Sequence, residues 1–403
     1  MSSEATVSDA VDVGDAGDIG DARVSVWRSV WRPGDDLGRR RFAPVGRLEL
    51  EVGVTPWGPA LDGTTVCFET WGALNADASN AVLVLHGFTA DAHAAGTLGP
   101  GHPEAGWWDG AIGPGLSIDT NRFFVVCPNV LGGCQGSTGP ASLAPDGESW
   151  GSRWPVTTIR DMVAAERGMA DSLGIMQWYA VVGVSLGGMR ALEWSIGSPD
   201  RVARAVVIGC GAQSSAEQIA LQSIQLQSIT DDDAWCDGDY YDKGDGRGPV
   251  RGMGLARRLG HLTYRSEIEL HQRFANRSQA GESALDPQRQ GRYAVQSYLD
   301  YAAQRLERRF DPNTYLAITE AMNHHDVGRD RGGVAAAMKR ITARLTIVGL
   351  DGDRLYPIRQ QRELAFLAPV ATDVQVVHSM YGHDAFLVDV EQTGAFVAAA
   401  LAR

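Results

Sequence analysis

The sequence predicts an α/β fold with a mostly parallel central sheet, helices on both faces and an inserted, mainly helical segment. Short apolar runs without polar alternation indicate strands that are buried on both faces, as in a parallel sheet. These runs alternate with stretches of helical periodicity, which is typical of α/β proteins. Between residues 213 and 339 the strand pattern stops and helical spacing dominates. A chain of 403 residues fits one large domain with an insertion.

The N-terminal residues 1–38 predict a disordered acidic tail. They contain repeated Gly-Asp pairs, as in "VGDAGDIGD", and too few apolar residues to build a core. They have neither the basic start nor the apolar stretch of a signal peptide. We therefore divide the folded chain into a first core part at 39–212, a helical lid insertion at 213–339 and a second core part at 340–403.

The predicted strands and helices follow this division. We predict strands, some with the turn that follows, within 46–54, 64–72, 81–88, 122–133, 178–185 and 203–209, and again within 344–353 and 374–384. The first two alternate well enough to pair at one edge of the sheet. We predict helices within 159–175, 186–198, 293–310, 311–322 and 391–402. The helix at 311–322 opens with Asp311 and Pro312, a favourable cap followed by a first-turn proline.

Composition excludes several classes of protein. The formal net charge is −13 and no long basic run occurs, which argues against a nucleic-acid partner. An anionic substrate would need a local cationic site. No apolar stretch reaches the roughly 18 residues of a membrane span, so we expect no membrane partner. The cysteines are odd in number and lack a Cys-x-x-Cys pair, which favours reduced thiols in a cytoplasmic protein; they are Cys67, Cys127, Cys134, Cys210 and Cys236.

We expect no metal centre. His324 and His325 are adjacent, and neighbouring residues on a helix point about 100° apart. They are therefore poorly placed to share an ion. Asp91 and His93 alone also make a poor metal site.

The strongest local motif is Gly183-Val184-Ser185-Leu186-Gly187. As a bare Gly-x-Ser-x-Gly string it is weak, because short motifs recur by chance. Here an apolar strand ends just before it and a helix starts just after it, which is the setting of a nucleophile elbow. Ser185 is therefore the candidate nucleophile. A serine hydroxyl needs a base to attack.

The acid and the base should follow the serine on loops after later strands. Asp351 and Asp353 follow the strand predicted within 344–353. Asp353 is further along its loop and is favoured, but Asp351 remains an alternative. His378 is still at a strand end, whereas His383 lies on the loop, so His383 is the candidate base.

An oxyanion hole needs two backbone N–H groups aimed at the developing negative charge. The residue after the nucleophile, Leu186, supplies one candidate. The second is Phe88, in the loop after the third strand, where Gly87 allows a close approach of the chain. We interpret His86 in the same loop as a structural turn residue.

Several longer motifs resemble one family over most of residues 40–403. They are "WWDGAIGPG", "RFFVVCPNVLGGCQGSTGP", "TIRDMV", "GLARRLGHLTYRS", "DRLYP" and "YGHDAFLVD". In this order they resemble the homoserine O-acetyltransferase family, acyltransferases of the α/β-hydrolase superfamily. The chain departs from the family pattern at Gly-Phe-Thr-Ala (87–90) and Val-Ser-Leu-Gly (184–187), so the side chains around the acyl pocket differ.

The resemblance implies residue roles. It aligns Ser185 with the nucleophile, Asp353 rather than Asp351 with the acid, and His383 with the base. It implies that Arg257 binds the α-carboxylate of the acceptor, a task that suits the fork of a guanidinium. It also implies that Asp384 binds the acceptor's α-ammonium group instead of the catalytic imidazole.

The resemblance also implies a reaction. Acetyl passes from acetyl-CoA, a co-substrate, through acyl-Ser185 to L-homoserine, a step toward methionine, and no further cofactor is expected. It implies a homodimer formed through the lid. The alternatives are a homoserine or serine O-succinyltransferase of the same family, or an esterase or thioesterase on the same scaffold.

Overall fold

The computed structural model describes residues 30–243 and 248–402. Residues 1–29, the greater part of the predicted tail, lie outside the described residues. Of residues 30–38, which the sequence assigned to that tail, the first two contact the folded core. Val30 is buried, and the Trp31 ring packs on Phe42 with 4.9 Å between centroids. Two apolar residues in a polar stretch form no periodic pattern, so the sequence did not indicate this contact.

The main sheet has eight strands. The strands of the protein are β1 (Arg41–Glu49), β2 (Ala60–Trp71), β3 (Ala81–Leu85), β4 (Ile112–Gly113), β5 (Ile118–Asp119), β6 (Phe124–Pro128), β7 (Ala180–Val184), β8 (Arg204–Ile208), β9 (Arg344–Leu350) and β10 (Gln375–Val377). The order in the main sheet is β1-β2-β6-β3-β7-β8-β9-β10, and β4 and β5 pair separately. In the main sheet β2 runs antiparallel to β1 and β6, and the other neighbours are parallel. The predicted mostly parallel sheet is confirmed.

The central strands explain the apolar runs. Every residue of β3, β6 and β7 is buried, because helices cover both faces of the sheet. The first predicted strand, at 46–54, was placed too late. β1 begins at Arg41, which pairs with Phe68 of β2, and ends at Glu49. In its N-terminal half only Ala43 is buried, so apolar alternation did not mark it.

Helices cover each face of the sheet, and further helices form the lid. The helices are numbered in chain order. They are α1 (Ile159–Ser172), α2 (Leu186–Gly197), α3 (Ala216–Thr230), α4 (Val250–Tyr264), α5 (Glu267–Phe274), α6 (Ala294–Glu307), α7 (Pro312–Asn323), α8 (Val334–Met338), α9 (Ile358–Leu367), α10 (Ala385–Val388) and α11 (Val390–Ala402). The cores of α1 and α2 belong to one apolar cluster, and α11 belongs to the cluster on the opposite face. The helices predicted within 159–175, 293–310 and 391–402 correspond to α1, α6 and α11.

The lid lies between two adjacent strands. Helices α3 to α8 follow β8 and precede β9, and the described residues between those strands form no strand of their own. The Asp311 carboxylate accepts the Thr314 N–H and caps α7, and Pro312 occupies its first turn, as predicted. The hydroxyls of Tyr240 and Tyr241 also donate to this buried carboxylate. They fix the preceding loop of the lid to α7. The domain boundaries themselves stay predictions.

Among the described residues, no single helix is both long and apolar enough to cross a membrane. The bent pair of helical segments Gly382–Val388 and Val390–Ala402, with 74° between them, meets the length and composition test only as a pair. Its second member packs on the sheet through Val397 and Leu401, which are buried.

Candidate active site

Ser185 lies at the sharp turn between β7 and α2, at the carboxyl end of the central strands. Its backbone has φ 55° and ψ −120°, a conformation that is unfavourable for a residue with a Cβ. A Cβ on Gly183 would collide with the Gly187 carbonyl, and a Cβ on Gly187 would collide with the Leu85 carbonyl. The packing of this turn therefore requires both glycines of the motif.

The structure brings Ser185, His383 and Asp353 into one hydrogen-bonded chain. His383 Nε2 is 2.9 Å from Ser185 Oγ, and His383 Nδ1 is 2.6 Å from Asp353 Oδ2. The other oxygen of Asp353 accepts the N–H groups of Leu355 and Tyr356, each at 2.8 Å. The carboxylate is therefore held from both sides. With Nδ1–H donating to Asp353, Nε2 is left as the acceptor that faces the serine hydroxyl.

The environment favours a charged His383 ring. Burial opposes a charge on the imidazole, but the negative charge of Asp353 and its hydrogen bond outweigh burial and raise the pKa of His383. A base of raised pKa is a better proton acceptor for a serine hydroxyl.

The two alternative residues lie elsewhere and contact each other. His378 Nδ1 is 2.7 Å from Asp351 Oδ2, and the His378 side chain is 76% exposed. Asp351 also accepts the Ser379 N–H. Asp351 and His378 thus pair with each other at the surface. Neither of them lines the cavity of Ser185.

Two backbone N–H groups next to Ser185 are left without an acceptor in the described part of the chain. They belong to Leu186 and Phe88, the predicted oxyanion donors. The loop of Phe88 is shaped by a turn in which the Ala90 N–H donates to Gly87 O. His86 is fully buried there, with Nδ1 2.7 Å from Gly87 O. Burial lowers its pKa to about 3, so the ring is neutral and structural, as interpreted from the sequence.

A buried ion pair supports this loop from behind. Arg190 of α2 donates through Nη2 to the His86 carbonyl at 2.9 Å and through Nη1 to Glu166 of α1 at 2.6 Å. The second oxygen of Glu166 accepts the indole N–H of Trp194 at 2.7 Å. This network ties the loop after β3 to the helix that starts at the nucleophile. Sequence reasoning missed it, because the partners are far apart along the chain.

Arg257 reaches the same cavity from α4. Its Nη1 donates to Thr89 Oγ1 at 3.2 Å, and its guanidinium lies 5.5 Å from the Tyr264 ring centroid. Its Nε is buried without a hydrogen-bond acceptor in the described residues. The guanidinium is therefore available to an anionic group in the cavity.

Asp384 lines the cavity beside His383 and is paired with a residue that sequence reasoning missed. Arg265 Nε lies 3.1 Å from Asp384 Oδ2, and the two side chains are 16% and 14% exposed. Arg265 also contacts Glu269 at 3.2 Å. Burial raises the pKa of Asp384, although the nearby charges of Arg265, His383 and Arg257 oppose that rise. Arg265 was visible only as part of the family motif "GLARRLGHLTYRS".

All seven predicted site residues meet around one cavity of about 810 Å³. Ser185, His383, Phe88, Arg257 and Asp384 line it, while Asp353 and Leu186 lie behind this lining. Its walls come from the N-terminal segment, the loop after β3, the lid and the loop before α10. Such a space can hold two reactants at one serine.

Three side chains outside the predicted set could ligate a metal. Ligand atoms of Glu69, His93 and His102 lie within 4.8 Å of one another, and all three residues are buried. The Arg39 N–H donates to His102 Nε2 at 3.0 Å, and the Arg39 guanidinium lies 3.7 Å from Glu69. The group is therefore partly hydrogen-bonded and lies beside a cation, while Glu69 Oε1 and His93 Nε2 are buried without a hydrogen-bond partner in the described residues. The sequence separated Glu69 from the two histidines and did not indicate this cluster.

His324 and His325 do not form a site together. His325 is buried, with Nε2 3.0 Å from Gly211 O, and burial lowers its pKa to about 4. His324 forms the C-cap of α7. Both positions are structural, in line with the sequence argument.

Known proteins share this architecture and much of the sequence. A family model described as the alpha/beta hydrolase fold matches residues 80–390. A homoserine O-acetyltransferase of Thermobifida fusca (strain YX) is 53% identical over 374 residues, which are 93% of this chain and 96% of the relative. The crystal structure of a homoserine O-acetyltransferase from Bacillus anthracis has a TM-score of 0.80 and 25% identity, with 90% of this chain and 97% of that one covered.

An esterase crystal structure has a TM-score of 0.79 and 26% identity, with 90% of this chain and 99% of that one covered. A transferase and a hydrolase therefore resemble this fold equally well, with TM-scores of 0.80 and 0.79. The 53% sequence identity is to a transferase. The chain belongs to the homoserine O-acetyltransferase family of the α/β-hydrolase fold.

Proposed function

We propose that the protein transfers an acetyl group from acetyl-CoA to L-homoserine through an acetyl-Ser185 intermediate. The observation that carries this proposal is the single cavity lined both by Ser185 and His383 and by the oppositely charged Arg257 and Asp384. A hydrolase needs only the first pair. The second pair has the charges required to bind an amino acid as acceptor. The name of the Thermobifida fusca relative favours homoserine as that acceptor and acetyl as the group transferred.

In the first half-reaction, Ser185 takes the acetyl group. His383 Nε2 removes the hydroxyl proton while Oγ attacks the thioester carbonyl carbon. The Leu186 and Phe88 N–H groups, which have no other acceptor in the described residues, stabilise the oxyanion. The carbon–sulfur bond then breaks, and His383 returns the proton to the leaving sulfur, so that CoA departs as a thiol.

In the second half-reaction, the acceptor replaces CoA. Arg257 binds the α-carboxylate of homoserine with its fork, and Asp384 binds the α-ammonium group. This orientation brings the side-chain hydroxyl to His383, next in sequence to Asp384. His383 removes the hydroxyl proton, the oxygen attacks the acetyl carbon, and the proton passes to Ser185 Oγ as the acyl bond breaks. O-acetyl-L-homoserine is released.

The lid favours transfer over hydrolysis. Leu221, Gln225, Arg257, Tyr264 and Arg309 line the cavity from the lid side. Such a roof limits the water that reaches the acetyl-serine and holds the acceptor close to it.

Intact-mass analysis tests the proposal. The protein is incubated with acetyl-CoA or succinyl-CoA, and a mass increase that is absent in Ser185→Ala identifies the acyl-enzyme and its donor. Homoserine, serine or buffer is then added. We expect an acetyl adduct that homoserine discharges much faster than serine or water does.

The same experiment separates the alternatives. A succinyl adduct in preference to acetyl assigns the succinyltransferase function, and preferential discharge by serine changes the acceptor. Discharge at one rate with and without an acceptor indicates an esterase or thioesterase. Absence of any adduct with both donors contradicts the proposal.

We also propose a homodimer formed through the lid. Ile219 and Ile224 of α3, Leu255 of α4 and Ile268 of α5 are at least 40% exposed, and exposed apolar groups on adjacent helices favour association. We expect dimer mass by light scattering for the wild type and monomer mass for Ile224→Glu/Leu255→Glu. Phe366→Glu, which changes an exposed apolar residue outside the lid, is the matched control and should remain dimeric.

We further propose that the protein works in the cytoplasm. All five cysteines are free thiols, and four of them are buried, which suits a reducing compartment. Burial raises the pKa of Cys134 to about 12, so this thiol stays protonated and unreactive. Cell fractionation tests the location, and recovery of the protein outside the cytoplasmic fraction contradicts it.

A further inference from the structure

Three cavity-lining arginines within five residues lie at the C-terminal end of one lid helix. Arg305 is in the last turn of α6, and Arg308 and Arg309 follow at its C-terminal end. All three side chains line the cavity that holds Ser185. Cations favour a helix C-terminus, but that preference does not require the three guanidinium groups to face one cavity.

The arginines extend from the mouth of the cavity toward the serine. The Arg305 side chain is 52% exposed, and Arg308 is exposed as well. The Arg309 side chain is only 24% exposed, and its Nη1 donates to Thr89 O at 2.7 Å. Thr89 follows Phe88 of the oxyanion loop. The positive charge therefore reaches from solvent to the loop beside the nucleophile.

Their charge is only partly compensated. Glu104 contacts Arg305 at 2.6 Å and Arg309 at 3.6 Å. Within the described residues, no carboxylate lies at ion-pair distance from Arg308. Glu104 is thus the one carboxylate of the described residues at ion-pair distance from these three guanidinium groups, and the negative charge of Asp91 acts on Arg309 from further away. The three arginines form the local cationic site that an anionic substrate requires.

We infer that Arg305, Arg308 and Arg309 bind the phosphate groups of acetyl-CoA. The inference rests on the proposed acetyl transfer and deepens it. The nucleotide end of CoA carries a diphosphate and a further phosphate, whereas the arm that ends in the thioester is uncharged. Guanidinium forks bind phosphates with paired hydrogen bonds. Phosphates at the cavity mouth direct the neutral arm past Thr89 to Ser185, and a phosphate replaces Glu104 as the partner of Arg305.

A comparison of two donors tests this assignment. S-acetyl-N-acetylcysteamine carries the same acetyl thioester as acetyl-CoA but no phosphate. For Arg305→Ala/Arg308→Ala we expect the ratio of kcat/KM for acetyl-CoA to kcat/KM for the small thioester to fall about 100-fold, since each charged hydrogen-bonding partner contributes about tenfold. Arg305→Lys/Arg308→Lys should lie between this variant and the wild type, because lysine keeps the charge and loses the fork.

Two further measurements complete the test. Arg251→Ala/Arg340→Ala removes the same charge from exposed positions outside the cavity lining and should leave the donor ratio unchanged. Rising ionic strength should raise the KM for acetyl-CoA more steeply in the wild type than in Arg305→Ala/Arg308→Ala.

The outcomes are distinct. An unchanged donor ratio in Arg305→Ala/Arg308→Ala overturns the phosphate assignment, as does an equal fall in Arg251→Ala/Arg340→Ala. Failure of the proposed function gives a different result, because the wild type would then acetylate homoserine from neither donor.

Discussion

The reactivity of Ser185 depends on the location of one proton. Asp353 is held by two backbone N–H groups, and it holds the Nδ1 side of His383, so that only Nε2 faces the serine. The imidazole accepts a proton only when it is neutral. The same carboxylate that orients the ring also raises its pKa, which shifts the active form to higher pH.

The rate of Ser185 acetylation should therefore rise with pH through an apparent pKa above the ordinary histidine value of 6.5. Below that pKa His383 is protonated and cannot act as the base. Asp353→Asn removes the charge that raises the pKa, so we expect a lower apparent pKa and a fall in kcat of about 10⁴-fold. Stopped-flow measurement of thiol release across pH checks both. A pH profile unchanged by the substitution contradicts the assignment of Asp353.

Arg265 pairs with Asp384, the carboxylate proposed to bind the acceptor, without lining the cavity itself. Arg265→Met should raise the KM for homoserine about tenfold, because Asp384 loses its buried partner. Acetylation of Ser185 by acetyl-CoA precedes acceptor binding and should change little. Arg273→Met is the matched control, since Arg273 shares Glu269 with Arg265 but is not paired with Asp384. A rise in KM of the same size in both variants indicates a general effect on the lid.

At the level of helices and strands, the catalytic geometry depends on how α2 meets the loop after β3. The Arg190 guanidinium connects the carbonyl of His86 with Glu166 on α1. Loop, nucleophile helix and neighbouring helix are therefore joined by one buried hydrogen-bond network. Both side chains are almost fully excluded from solvent, so removal of one partner leaves a buried charge without compensation.

Arg190→Met should destabilise the protein by about 3–5 kcal/mol. Glu166→Gln/Arg190→Met removes both charges, and we expect it to recover part of that loss. Urea unfolding measures both, with kcat as a second readout of the oxyanion loop. Equal stability of the single and double variants contradicts a buried ion pair as the source of the effect.

Most elements were predictable because their local patterns agree with their final environment. Strands β3, β6 and β7 are apolar throughout since both their faces are covered, and α7 carries its own cap at Asp311. The start of β1 and the packing of Val30 and Trp31 were not predictable in this way. β1 is held by pairing with β2, and Trp31 by its ring contact with Phe42 and its N–H bond to the Cys134 carbonyl. These contacts are tertiary, and no local sequence pattern reports them.

At the scale of the complete fold, the site joins residues from distant parts of the chain. Chain order and loop position were sufficient to predict Ser185 as the nucleophile and His383 as the base. The elbow and the loops after later strands converge at one edge of the sheet. The choice of Asp353 over Asp351 needed the family resemblance. The pairing of Arg265 with Asp384 and the grouping of Glu69 with two histidines are tertiary contacts, and no local pattern predicts them.

The Glu69–His93–His102 cluster yields a prediction about metals. Arg39 already occupies His102 Nε2 and lies near Glu69, so we expect purified protein to contain no stoichiometric transition metal. Dialysis against a chelator should leave the rate of acetyl transfer and the melting temperature unchanged. Elemental analysis that finds about one zinc per chain, together with a fall in melting temperature on chelation, contradicts this expectation.

The direct pairing of β8 with β9 across the lid has an evolutionary consequence. Arg204 lies opposite Arg344 in an unbroken parallel register, so the intervening residues leave the sheet at the carboxyl end of β8 and rejoin it at the amino end of the adjacent strand β9. Arg257 and Arg309 belong to that excursion, whereas Ser185 and His383 do not. Part of the proposed substrate recognition is thus encoded apart from Ser185 and His383, whereas Asp384 belongs to the same stretch as the catalytic histidine. Exchange of the roof offers a route to new acyl acceptors that still present a group to Asp384, while the chemistry beneath is inherited intact.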